Sequence, residues 1–75
     1  SKVKMKNKKQ QNRLDEAVKS FQKALAIQPS YPDPYNNIGV VYHDQKKLVD
    51  AEANLRRALK FKPDYVEAHN NLGNV

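Results

Sequence analysis

Seventy-five residues hold one small domain, and a chain of this length buries only about 60% of the surface its unfolded form exposes. There is no cysteine, which excludes disulfide staples and thiolate zinc sites, and no apolar run approaches the ~20 residues of a membrane span. The net charge of +6 points at first sight to nucleic acid or an acidic membrane, but all of it lies in residues 1–13, where Lys2, Lys4, Lys6, Lys8, Lys9 and Arg13 meet no acid.

Residues 14–75 are electrically balanced, with equal numbers of basic and acidic side chains. The basic arm admits three readings. It is a solvated tail, a polybasic contact for nucleic acid or anionic lipid, or a helix that packs on the rest of the chain. It carries no aromatic residue to stack on bases, which counts against sequence reading of RNA. Between Lys2 and Gln28 there is neither proline nor glycine, so one long helix through Asn12 is a fourth expectation. No apolar stretch near the start resembles a secretory signal, and the expected location is the cytoplasm.

From Leu14 to Gln28 apolar residues fall at 14, 17, 18, 21, 24, 25 and 27, the spacing of one stripe of an amphipathic helix. Pro29 ends it. Pro29 to Pro34 reads as a tight connector, and Pro34 suits the first turn of the next helix, where a missing N–H is harmless. Ser30 and Asp64 each precede an acid by three residues (Asp33, Glu67), which predicts side-chain caps at both helix starts. The second helix runs to about Gln45, with Tyr35, Ile38, Gly39 and Tyr42 on one stripe. A third runs from Leu48 to Phe61, with Leu48, Ala51, Leu55, Ala58 and Leu59 inward, and Pro63 ends it. Val66 to Val75 begins a helix of the same kind as the second.

The pattern around Pro63 repeats one found 34 residues earlier. Leu14, Ala17, Ala24, Leu25, Pro29, Tyr31, Asn36, Asn37 and Gly39 recur as Leu48, Ala51, Ala58, Leu59, Pro63, Tyr65, Asn70, Asn71 and Gly73. Phe21 becomes Leu55 and Ile38 becomes Leu72. A fixed offset of this size marks a repeat architecture. Glycine inside a helix costs about 1 kcal/mol relative to alanine, so Gly39 and Gly73 predict a close helix crossing. Small residues on the apolar faces predict short interaxial distances, with the larger residues filling the gaps. The expected fold is all-α: antiparallel helix-turn-helix repeats in an α-solenoid, about two repeats with incomplete ends. By this reading residues 1–13 are a basic arm or degenerate helix, 14–31 the second helix of an incomplete repeat, 32–65 a complete repeat, and 66–75 the first helix of a truncated one.

At these residues the chain resembles the tetratricopeptide repeat family. Tyr35, Ile38, Gly39 and Tyr42, then Ala51, Leu55, Ala58 and Leu59, then Pro63 match its small-and-large pattern at its spacing. Upstream of Leu14 the likeness fails. Ser1, Lys4 and Lys8 stand where apolar residues are expected and Met5 where glycine is, although Gln11 still matches Gln45. The resemblance implies a protein or peptide partner held on the concave face by the first helix of each pair. By register that groove comprises Asp33, Asn36, Asn37, Val40 and Asp44, then Glu67, Asn70, Asn71 and Asn74. An amide offers both a donor and an acceptor, so it pairs with a peptide backbone whatever the side chains. The competing reading is that Asn37 and Asn71 hydrogen-bond within or between helices and only fix register.

Some family members grip a C-terminal carboxylate with basic residues and asparagines. Asn37 fits one such position, but Glu67 and Asn71 stand where cations are required, which removes most of the charge-assisted grip. His43 and His69 have no zinc spacing, no serine sits in a nucleophile turn, and no glycine loop cradles phosphate. The expectation is therefore a non-enzymatic protein-interaction scaffold with no metal, cofactor or small-molecule substrate. Alternatives are a targeting or regulatory segment of a larger enzyme such as a glycosyltransferase, and a basic-arm adaptor acting through Lys2–Arg13. Both ends of the stack are expected to expose apolar residues, Phe21 and Leu25 at one and Leu72 at the other, which predicts self-association or marginal stability.

Overall fold

Four helices arise from the punctuation of the chain. A computed structural model describes the backbone of residues 2–75 and the side chains of residues 11–75. The helices are α1 (Lys2–Ile27), α2 (Pro32–Asp44), α3 (Leu48–Phe61) and α4 (Val66–Gly73). With no proline or glycine to break it, α1 runs 26 residues straight through Asn12. At 1.5 Å per residue that is about 39 Å, close to the 42 Å longest dimension of the molecule. Residues 2–13 thus continue the helix of Leu14–Ile27; they do not fold back on it as a separate capping helix.

The helix starts differ from the expectation. The N-caps are Tyr31 and Tyr65, one residue after Ser30 and Asp64, and neither helix has a side-chain cap. Pro32 explains the first case. A proline in the first turn has no N–H to satisfy and already holds a helical φ. Instead of capping, Tyr31 and Tyr65 donate their own backbone N–H to the carbonyls of Gln28 and Lys62, each at 3.1 Å. The α2–α3 turn is closed by backbone alone. The Lys47 N–H reaches the Tyr42 carbonyl at 2.8 Å and the Lys46 N–H reaches the His43 carbonyl at 3.0 Å. This is a Schellman turn, and it requires a left-handed residue, here Lys46 with φ of 65°.

The apolar stripes decide the packing. Helix α2 is central and touches α1, α3 and α4, while α4 also packs on α3. One cluster joins Val18, Ile38 and Val41, with Leu14, Phe21, Leu25 and Tyr42 around it. The second joins Tyr35, Ala58 and Ala68, with Leu25, Leu59 and Tyr65 around it. Ala51, Leu55, Ala58 and Ala68 are fully buried. Burying Leu55 alone is worth about 1.5–3 kcal/mol. The predicted close crossing is present at Gly39, where a Cβ would lie 2.7 Å from Leu55 Cγ and 3.3 Å from the Ala51 carbonyl oxygen. Tyr35 stacks on Phe61 with centroids 5.7 Å apart and donates its hydroxyl to the Pro29 carbonyl at 2.8 Å. Gln45 Nε2 donates to Asp15 Oδ1 at 3.0 Å, tying the α2–α3 turn to α1.

Some expected inward residues are not inward. Leu48, the first residue of α3, is 46% exposed, and Ile27 is 87% exposed because it stands about half a turn round α1 from the buried Val18. Phe21, Leu25 and Leu72 are half-buried, not exposed.

Candidate ligand-binding face

Helices α2 and α4 are the first helices of successive pairs and lie side by side. Asp33, Asn37, Val40 and Asp44 are spaced four, three and four apart, so they share one stripe of α2. Glu67, Asn71 and Asn74 repeat that stripe on α4. Asn37, Val40, Asp44, Glu67, Asn70 and Asn74 are exposed. Asp33 and Asn71 are half-buried.

Asn36 departs from the expectation. It is 1% exposed and its Oδ1 accepts a 2.9 Å hydrogen bond from Asn71 Nδ2. It is therefore an interhelical bolt and not a surface contact. The cause is register: position 36 points sideways at α4, while position 37 points outward. Of Asn37 and Asn71, the two for which a register-fixing role was the competing expectation, only Asn71 takes it, with Asn36 as its partner, and Asn37 stays in solvent.

Two residues outside the predicted set shape the same face. His43 Nε2 lies 3.3 Å from the Asn74 carbonyl oxygen. It lines a small depression of about 40 Å³ with Gly39, Val40, Leu55, Asn71 and Asn74. Its spacing of three from Val40 was the available signal. Tyr65 stands beside Asp33 at the opposite end of α2. Its phenol is pushed up to about 12, first by burial and then by the Asp33 carboxylate. His69 turns away, with Nε2 2.8 Å from the Pro63 carbonyl oxygen.

The charge of the face is one-sided. Asp33, Asp44 and Glu67 are the acidic side chains of α2 and α4, and neither helix has lysine or arginine. On the other side of α2, a cleft of about 360 Å³ opens between α1 and α3, with the Arg57 guanidinium 6.0 Å above the Tyr35 ring. No predicted site residue lines it. Among the described residues no His, Cys, Asp and Glu gather as a metal site, and no helix is long and apolar enough to cross a membrane.

A family model described as TPR repeat matches residues 8–46 and again residues 41–75. The chain belongs to the tetratricopeptide repeat family. Each match pairs a helix of the α1 or α3 type with the α2 or α4 type that comes after it, and the two meet in the α2–α3 turn. Tetratricopeptide repeats generally mediate protein–protein interaction and are typically non-catalytic modules. Comparison with curated proteins gives no match.

Proposed function

We propose that the α2–α4 face of this tetratricopeptide repeat chain binds an extended peptide or protein segment. The observation that carries the reading is that exposed Asn37, Val40 and Asp44 on α2 lie beside exposed Glu67, Asn70 and Asn74 on the neighbouring α4. Asn37, Asn70 and Asn74 offer amide donors and acceptors that match a peptide backbone. Val40, beside the small depression, offers an apolar contact. Asp33, Asp44 and Glu67 repel a free C-terminal carboxylate, so the favoured ligand is an internal or amidated segment with neutral or basic side chains.

Selection from a displayed random-peptide library tests this. Peptides enriched on the wild-type chain should lose at least about tenfold in affinity for a variant carrying Asn37→Ala, Asn70→Ala and Asn74→Ala. All three sites are exposed, so the variant should melt with the parent. Equal binding by that variant, or chemical-shift changes confined to α1 and α3, would overturn the assignment.

A further inference from the structure

Helices α1 and α3 each pack on α2 and, among the described residues, not on each other. The space left between them is the cleft of about 360 Å³ on the side of α2 away from Asn37 and Asp44. Its floor is Tyr35, Ile38 and Tyr42, at three-four spacing on α2. One wall is Gln22 and Ala26, one turn apart on α1, and the other is Asn54 and Arg57 of α3. The cleft thus lies between successive helices and not at an end of the stack. Gln22 and Ala26 stand more than about a quarter-turn round α1 from Ala17, Phe21 and Ala24, so that other face takes no part in it.

Arg57 is the charged side chain of the lining, and no acid stands among the residues around it. It has no internal partner: the ion pair among the described residues is Arg56–Glu52 at 3.0 Å. Asp15 of α1 accepts from Gln45 at 3.0 Å and does not line the cleft. The guanidinium is held from beneath. Its carbon lies 6.0 Å from the centroid of the Tyr35 ring. That ring is itself fixed by its hydroxyl bond to the Pro29 carbonyl at 2.8 Å and by stacking on Phe61 at 5.7 Å. At the far end of the floor, Lys47 Nζ lies 5.5 Å from the centroid of the Tyr42 ring, so both ends of the cleft are positive. A guanidinium already placed over a fixed ring offers a carboxylate a planar fork of donors at little further cost in ordering. Asn54 spends its Nδ2 on the Asp50 carbonyl at 2.9 Å, which leaves its Oδ1 as an acceptor.

We infer that the α1–α3 cleft binds a small aromatic monocarboxylate, about the size of one amino-acid residue, with its carboxylate on Arg57 and its ring against Ile38 and Ala26. Charge selects the acid, because the one ionised group of the lining is an unpaired cation and Lys47 adds a second positive end. The apolar and aromatic floor selects the ring. Volume selects a small molecule over a protein segment, because the cleft stands at the lower end of the roughly 300–1,000 Å³ of ligand sites. The opposite face of α2 carries Asp33 and Asp44 and prefers the reverse charge. This inference therefore does not rest on the peptide-binding reading, and the two sites are separable by ligand.

Chemical-shift titration of the whole isotope-labelled chain with N-acetyl-L-phenylalanine tests this. Saturable shifts should appear at Gln22, Ala26, Asn54 and Arg57, with a Kd of about 1 mM for a ligand this small. N-acetyl-L-phenylalaninamide lacks the charge and acetate lacks the ring, and each should bind at least about tenfold more weakly. Arg57→Gln should lose at least about tenfold in affinity for the acid. Arg57 is exposed, so this variant should melt with the parent. Ala26→Glu, on the wall facing Arg57, supplies an internal carboxylate and should abolish binding. The variant with Asn37→Ala, Asn70→Ala and Asn74→Ala should bind the acid as the parent does. Binding to the basic residues Lys2–Arg13 alone would survive Arg57→Gln, which separates it from binding in the cleft. No saturable binding up to the solubility limit of the probe, equal affinity for acid and amide, unchanged affinity of Arg57→Gln, or shifts confined to α4 or to residues 2–13 would each overturn the inference.

Discussion

Replacing Gly39 by alanine should destabilise the fold, although it improves helix propensity by about 1 kcal/mol. The reason is local geometry. The new methyl would sit 2.7 Å from Leu55 Cγ and 2.8 Å from Leu55 Cδ2, where carbon atoms prefer about 3.5–4.0 Å. Leu55 is fully buried, so it cannot swing into solvent. The Ala51 carbonyl, 3.3 Å away, limits retreat on the other side. Either α2 and α3 part or Leu55 leaves its rotamer, and overpacking of this kind costs about 1–3 kcal/mol. Two overlapping atoms put this case at the upper end, leaving a net loss of about 2 kcal/mol after the propensity gain. A domain of this size has a total stability on the order of 4–11 kcal/mol, so the variant still folds. Its melting temperature should fall by about 8–16 °C.

Urea unfolding measured by helical circular dichroism, at one low protein concentration, tests this. Gly73→Ala is the internal control. It meets nothing within 4 Å and should be neutral or up to about 0.5 kcal/mol stabilising, less than the mid-helix gain because it ends α4. The two glycines occupy one repeat position, so opposite signs isolate packing from propensity. A double-mutant cycle then isolates the Gly39–Leu55 contact itself. With Leu55→Ala in the background and a stabilising osmolyte present, Gly39→Ala should become favourable. If Gly39→Ala raises stability in the parent, the close-crossing account is refuted.

Three further outcomes are expected. Lys46→Gly should stabilise by about 0.5–1 kcal/mol in the same assay, because Lys46 holds a left-handed φ of 65° that an L side chain resists and glycine does not; a loss of stability would remove the strain argument. Asn71→Ala should cost about 1–3 kcal/mol, since it strands the buried Asn36 amide, whereas Asn37→Ala at the equivalent repeat position should stay within about 0.5 kcal/mol of the parent. Tyr65 should ionise near pH 12 by absorbance at 295 nm, a late step that Tyr65→Phe deletes and Asp33→Asn brings earlier. Its folded pKa lies above the ordinary value of 10.0, so its contribution to stability is intact below pH 10 and is lost as pH rises toward 12; ionisation of Tyr65 at its ordinary value would contradict the packing against Asp33.

Much of the fold was legible because the determining signals are local. Pro29, Pro63 and the three-four apolar spacing set the helix order, and the span of α3 matches the expected Leu48–Phe61. The capping pattern misled because Ser30 and Asp64 match it by composition, while proline geometry and turn carbonyls do the capping work. Residues 2–13 broke the repeat pattern, yet nothing in them broke a helix, and so α1 ran on. The face was legible at Asn37, Val40 and Asp44, whose spacing alone puts them on one stripe. It was not legible at Asn36, whose fate depends on which neighbour lies beside α2, a tertiary fact with no local sign. Ile27 failed because it sits about half a turn round α1 from Val18, off the buried stripe, and Leu48 because it is the first residue of its helix.

Equivalent positions in this chain carry identical residues and yet behave differently. Gly39 is filled and Gly73 is empty; Asn36 is bolted and Asn70 is free; Ala58 is sealed and Ala24 is half-open. Residue type cannot cause these differences, since the type is the same in each pair. The cause is the neighbour each position meets: Leu55 of α3 lies against Gly39, and Asn71 of α4 lies beside Asn36. In a one-dimensional array, energy resides in the contacts between neighbours as well as in the units. The contacts that bury Leu55 and join Asn36 to Asn71 are therefore stabilising elements here.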